Sequence, residues 1–163
     1  MRVYIVRHGK AVNEGYRVDS DRPLTDEGRA RMRRTARVWA KRKEKPPRRW
    51  LTSPLVRAVQ TCEICVEAFE EDGSVEVTRA LEPEAAASSA LEAIAQGEGP
   101  VAVVSHEPLV STLASHLLGK PFGGFQKGAV LALSWDPETR GAEFRWLLEP
   151  AKEDREPKFR ESL

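Results

Sequence analysis

The chain has 163 residues, 40% of them apolar and 31% charged, and a net charge of +1. This is the composition of one soluble globular domain, long enough to bury roughly two thirds of its unfolded surface without a disulfide or metal staple. The balanced charge excludes a global pull towards nucleic acid or anionic membrane, and the apolar runs are too short to span a bilayer.

No signal-peptide pattern precedes the first strand, so a soluble, cytoplasmic protein is expected. That strand is Val3–Val6, an unbroken apolar run followed at once by Arg7, His8 and Gly9. A polar loop, "GKAVNEGYRVDSDRPL", comes next. Thr25 then caps a helix, with Asp26 and Glu27 at the positive end of its dipole and an apolar stripe of Met32, Ala36, Trp39 and Ala40. "PP" at 46–47 ends this segment. The stretch "RARMRRTARVWAKRKEKPPRR" is strongly basic. It reads as a solvated helix face with its exit loop, or as a docking surface for an acidic partner.

Trp50–Thr52 is a short strand. Ser53 is placed as N-cap and Pro54 as the first residue of a helix reaching about Phe69. The pair Cys62 and Cys65 lies on that helix's apolar stripe, and no second Cys or His pair sits at zinc spacing. "CEIC" therefore reads as core packing rather than a redox or metal motif. "GSVEVT" is a third strand. "SSALEAIAQG" is a helix, with Ser89 and Glu92 as a capping box and Gly97 as its stop. Val101–Val104 is apolar throughout, as a parallel strand covered on both faces requires. Pro108 opens a helix to about Leu118, in which His116 reads as structural. "AVLALSW" and "AEFRWLLEP" flank "DPETRG" as a hairpin. Residues 1–150 thus form one domain, and 151–163 a highly charged tail with the composition of a disordered segment.

Strands alternating with helices predict a three-layer α/β/α sandwich around a mostly parallel sheet, with its ligand at the carboxyl ends of the strands. Three segments put polar residues at that edge. Arg7 and His8 end the first strand, Arg57 lies one turn inside the second helix, and His106 follows the Val101–Val104 strand. Helix N-termini and arginines bind phosphate. A neutral imidazole is a nucleophile at pH 7, and neighbouring arginines keep it neutral. The four residues therefore read as a phosphate pocket. His8 would attack phosphorus, while Arg7, Arg57 and His106 stabilise the oxygens and water later releases inorganic phosphate. No metal or other cofactor is required.

"VRHGK", "RPLTDEGR", "SPLVRAVQT" and "VVSHEP" resemble the signature segments of the histidine phosphatase, or phosphoglycerate mutase-like, superfamily. The short chain and the "DRPLTDEG" loop are most similar to its SixA-type branch, the phosphohistidine phosphatases. The resemblance spans roughly residues 1–150. It implies a phosphoglycerate mutase-like fold, His8 as the phosphorylated nucleophile, a clamp of Arg7, Arg57 and His106, and Arg22 lining the entrance. Asn13 lies one position short of the asparagine that contacts phosphate in the mutases. The Gly-Trp-Glu-Gly type segment bearing the mutases' acid is absent here. Glu82 and Glu84 in "RALEPEAAASS" are the candidates for a proton donor.

Expelling an alkoxide needs a strong acid, whereas imidazole leaves with less help. The sequence thus points to a metal-independent phosphatase for a phosphohistidine-bearing protein. The alternatives are a phosphomonoesterase for a sugar phosphate or nucleotide, and a non-catalytic phosphate-binding module. Neither a nucleic acid nor a membrane is expected as partner.

Overall fold

The computed structural model describes residues 1–70, 72–151 and 155–163. In chain order its elements are β1 (Arg2–Arg7), α1 (Asp26–Lys41), β2 (Arg49–Thr52), α2 (Val56–Phe69), β3 (Ser74–Val77), α3 (Ala87–Ala95), β4 (Val101–Ser105), α4 (Leu109–Leu118), β5 (Val130–Trp135), β6 (Ala142–Glu149) and β7 (Lys158–Arg160). The strands form one sheet in the order β3-β2-β4-β1-β5-β6-β7. Pairing is parallel from β3 to β1 and antiparallel from β1 to β7.

The apolar runs in β1 and β4 supply both faces of this sheet, because side chains alternate along a strand. Val3, Ile5, Val101 and Val103 pack under α3 and α4, whose Ile94, Val110, Leu113 and Leu117 face them. Tyr4, Val6, Ala102 and Val104 pack under α1 and α2 with Met32, Trp39, Cys62 and Cys65. Both cysteines are buried free thiols in this second core. Trp39 meets Tyr4, Trp50, Phe69 and Trp146 with tilted or edge-on rings. The result is the expected α/β/α sandwich. Among the described residues, no helix is long and apolar enough to cross a membrane.

Three local readings are corrected. α2 begins at Val56 rather than Pro54, and Leu55 is its N-cap. Ser53 instead points into the site below. α3 begins at Ala87, so Ser89 lies inside the helix and forms no capping box. In the tail set apart at 151–163, Lys158–Arg160 form β7 on β6, while 152–154 lie outside the described residues. Phe159 stacks edge-on with Trp146, 5.0 Å between centroids, and lies beneath the Arg42 guanidinium at 4.3 Å.

The start of α1 is fastened to the loop leaving β1. Thr25 Oγ1 accepts from Gly28 N at 2.9 Å, and the Thr25 N–H donates to the Lys10 carbonyl at 3.0 Å. A Cβ at Gly28 would stand 2.2 Å from that same carbonyl oxygen. Alanine normally favours a helix over glycine by about 1 kcal/mol, but here backbone must move to admit it. Gly28→Ala is expected to lower stability by about 1–3 kcal/mol, read as an earlier urea midpoint. An unchanged or later midpoint would contradict this contact.

Candidate active site

The sheet brings the three strand-end segments together. β1 and β4 are parallel with Arg7 opposite Ser105, so the chain leaves the sheet at His8 and His106 side by side. Their ring centroids are 4.9 Å apart. The His8 N–H donates to the Ser105 carbonyl, and the Ser53 N–H to the Val104 carbonyl, continuing the ladders past the strand ends. Arg57, in the first turn of α2, leans back into the same space. His8, Arg57 and His106 are 7%, 5% and 2% exposed.

Each side chain is oriented by named contacts. His8 Nδ1 lies 2.7 Å from the Gly9 carbonyl oxygen. A carbonyl only accepts, so Nδ1 carries the proton and Nε2 keeps its lone pair in the neutral ring. The Gly9 N–H donates to Thr61 Oγ1, which donates in turn to the Arg57 carbonyl. His106 Nε2 lies 2.8 Å from Ser53 Oγ, and that oxygen also accepts from the Leu55 N–H. Arg7 Nη1 donates to the Phe125 carbonyl at 2.6 Å, and the Phe125 N–H donates to Glu107 Oε1 at 3.1 Å.

Three buried nitrogens in this cluster, Arg7 Nε, Arg57 Nε and His106 Nδ1, have no hydrogen-bond partner among the described residues. Leaving such groups unsatisfied is costly. Burial pulls the His8 pKa down to about 4, with Arg57, Arg7 and Lys127 acting in the same direction against the Gly9 hydrogen bond. Burial pulls His106 down to about 3, helped by His8, Arg57 and Arg7 and opposed by Asp19. Both rings are therefore neutral at pH 7. A neutral imidazole with a bare Nε2, beside two guanidinium groups, is chemically fit to attack an electron-poor phosphorus while the donors hold its oxygens.

The remaining sequence candidates lie further out. Arg22 spends its donors inside the protein, Nε and Nη2 on Asp19 Oδ1 and Nη1 on the Val12 carbonyl. Asn13 Oδ1 accepts from Arg22 at 3.4 Å. Glu82 follows a 3-10 turn (Arg79–Leu81) tied to β4 by the Ser105 Oγ hydrogen bond to the Leu81 carbonyl. It therefore stands near the active edge, but its ion pair runs to Arg79 at 3.9 Å. Glu84 is exposed. Neither glutamate is hydrogen-bonded to the cluster among the described residues. The sequence reading missed Asp19, Thr61 and Lys127, and the tethering roles of Ser53 and Glu107. The Glu107 carboxylate holds the Phe125 loop, accepting from the Phe125 N–H and from Ser111 Oγ.

An α/β sandwich that gathers two histidines and two arginines at its carboxyl edge defines a phosphatase of the phosphoglycerate mutase-like class. Residues 3–83 match the model of the histidine phosphatase superfamily, branch 1. Over 155 residues the chain is 34% identical to the phosphohistidine phosphatase SixA of Escherichia coli (strain K12), covering 92% of this chain and 94% of that one. It superposes with a TM-score of 0.80 on a tungstate complex of the protein histidine phosphatase SixA, at 34% identity, over 90% of this chain and 96% of that one. The SixA structure from Agrobacterium tumefaciens also gives 0.80, at 25% identity, over 91% and 97%. The chain belongs to the histidine phosphatase superfamily, in its SixA-type branch.

Proposed function

We propose that the protein removes the phosphoryl group from a phosphohistidine side chain of a partner protein, through a phosphohistidine formed on its own His8. The observation that carries this reading is the bare Nε2 of His8 beside Arg7 Nε, Arg57 Nε and His106 Nδ1, three buried donors without a partner among the described residues. The His8 Nε2 lone pair forms a bond to phosphorus as the bond from phosphorus to the substrate's imidazole nitrogen breaks. The departing imidazole takes a proton from water. A water molecule then attacks phosphorus, the bond to His8 breaks, and inorganic phosphate leaves. Ser53 gives its hydroxyl hydrogen to His106 Nε2, so that His106 Nδ1–H donates to a phosphoryl oxygen.

The choice of a phosphorus–nitrogen substrate is supported by the similarity to SixA. It is supported also by the position of the glutamates, since imidazole departs without the strong acid an alkoxide needs. A cytoplasmic location belongs to the same reading. Free Cys62 and Cys65 suit a reducing compartment.

The test is turnover of a phosphohistidine protein beside a panel of alkyl and sugar phosphates, with and without chelator. The expected kcat/KM is about 10²-fold or more higher on phosphohistidine, the size of a missing general acid's contribution to ester cleavage. Glu82→Gln and Glu84→Gln should leave phosphohistidine turnover within about threefold, and chelator should have no effect. Equal rates on both classes, or a large loss in either glutamine variant, would move the reading to a small-molecule phosphomonoesterase.

A further inference from the structure

Both terminal nitrogens of Arg57 are held by one residue. Nη1 donates to the Asp19 carbonyl oxygen at 3.0 Å, and Nη2 to Asp19 Oδ2 at 3.1 Å. Asp19 begins a 3-10 turn (Asp19–Asp21) in the long loop between β1 and α1. Its other oxygen, Oδ1, accepts from Arg22 Nε at 2.9 Å and Nη2 at 2.8 Å. Arg22 is anchored in turn to the Val12 carbonyl at 2.9 Å. The carboxylate thus has one oxygen on each arginine and cannot turn away without breaking both pairs.

A guanidinium has an end-on edge of two Nη atoms and a side-on edge of Nε and one Nη. Asp19 takes the end-on edge of Arg57. On the side-on edge Nε is buried with no partner among the described residues, and Arg57 lies close enough to His8 and His106 to lower the pKa of both. The Arg57 side chain is 6% exposed and that of Asp19 is 63% exposed, so the loop carboxylate reaches a buried cation from the solvent side.

We propose that Asp19 is a positioning residue, which fixes Arg57 with its side-on edge turned to the phosphoryl group. The proposal rests on the reading of the site given above. A negative charge beside the anion opposes binding, so the benefit of Asp19 is orientation rather than affinity. The two effects separate in experiment. Removing Asp19 frees the fork and slows the reaction, while a simple inorganic anion, with a weaker demand on geometry, keeps or gains affinity.

The test compares Asp19→Ala, Asp19→Asn, Arg22→Ala and Arg57→Ala for kcat on a phosphohistidine protein and for tungstate affinity. The Arg57 Nε–H cross-peak is followed by NMR in the same proteins. Asp19→Ala should lose about 10- to 10²-fold in kcat, the scale of a reacting group misplaced by an ångström. Its tungstate affinity should be unchanged or tighter, and its Arg57 Nε–H signal broadened. Asparagine keeps an acceptor for Nη2, so Asp19→Asn should recover to within about threefold and restore the signal. Arg22→Ala should fall between them, and it carries the comparison if Asp19→Ala does not fold. Full kcat in Asp19→Ala, equal losses in alanine and asparagine variants, or a parallel loss of tungstate affinity would overturn the proposal. An undiminished Arg57→Ala would instead overturn the underlying reading of the site.

Discussion

Replacing His8 with alanine is expected to abolish turnover, by on the order of 10⁴-fold or more, the scale of deleting a covalent nucleophile. Rapid quenching of the unsubstituted enzyme should trap a phosphoryl label that is lost in acid and kept in base. His8→Ala should carry none. Ionisation gives an independent check. Burial and the neighbouring cations place the His8 pKa at about 4, below the ordinary histidine value of 6.5. A lowered value means that the neutral, nucleophilic ring persists as pH falls through 6.5, and a proton is taken up only as pH approaches 4. In anion-free protein, the His8 ring nitrogens should therefore show the Nδ1–H form from pH 8 to about 5. A ring that charges near 6.5, or a label that survives without His8, would place the nucleophile elsewhere.

What the sequence made legible and what it hid differ in physical kind. The four candidate site residues were readable because chain order, strand geometry and the lean of a first-turn helical side chain bring them to one edge. An apolar run long enough to be a covered strand delivers the next residues there. His8 after Val3–Val6 and His106 after Val101–Val104 needed no knowledge of side-chain packing. Asp19 needed a great deal. It meets Arg57 from a loop whose path is set by Arg22, the Val12 carbonyl and the bridge between Ala11 and Leu24. No periodicity marks such a contact. Ser53 misled for a related reason. It looked like a helix cap, but its hydroxyl is committed to His106, a partner 53 residues away. β7 was hidden by composition. Lys158 and Arg160 are exposed and read as tail, while Phe159 between them packs on Trp146 and under Arg42, contacts that only the assembled fold creates.

Arg7→Ala and Arg57→Ala should each lose about 10²-fold or more in kcat, as when one stabiliser of transition-state charge is deleted. The two losses should differ in their side effects. Arg7 is bound to the Phe125 carbonyl, and Phe125 to Glu107, so its removal also frees one end of that loop. Arg57 is bound to Asp19, so its removal leaves an acidic loop with one counter-charge instead of two. Arg57→Ala should therefore weaken tungstate or vanadate more than Arg7→Ala does, because it both deletes a cation and leaves the Asp19 carboxylate partly uncompensated beside the anion. Arg57→Lys should recover little, since an ammonium cannot fill the end-on and side-on contacts together. Adding Asp19→Asn to Arg57→Ala should restore part of the lost affinity, by removing the charge that has become unfavourable. Titration of tungstate into the four proteins by calorimetry decides the matter. Unchanged affinity in both alanine variants would put the anion site away from this sheet edge. An Asp19→Asn addition that weakens binding further would show that the carboxylate aids the anion by some route other than Arg57.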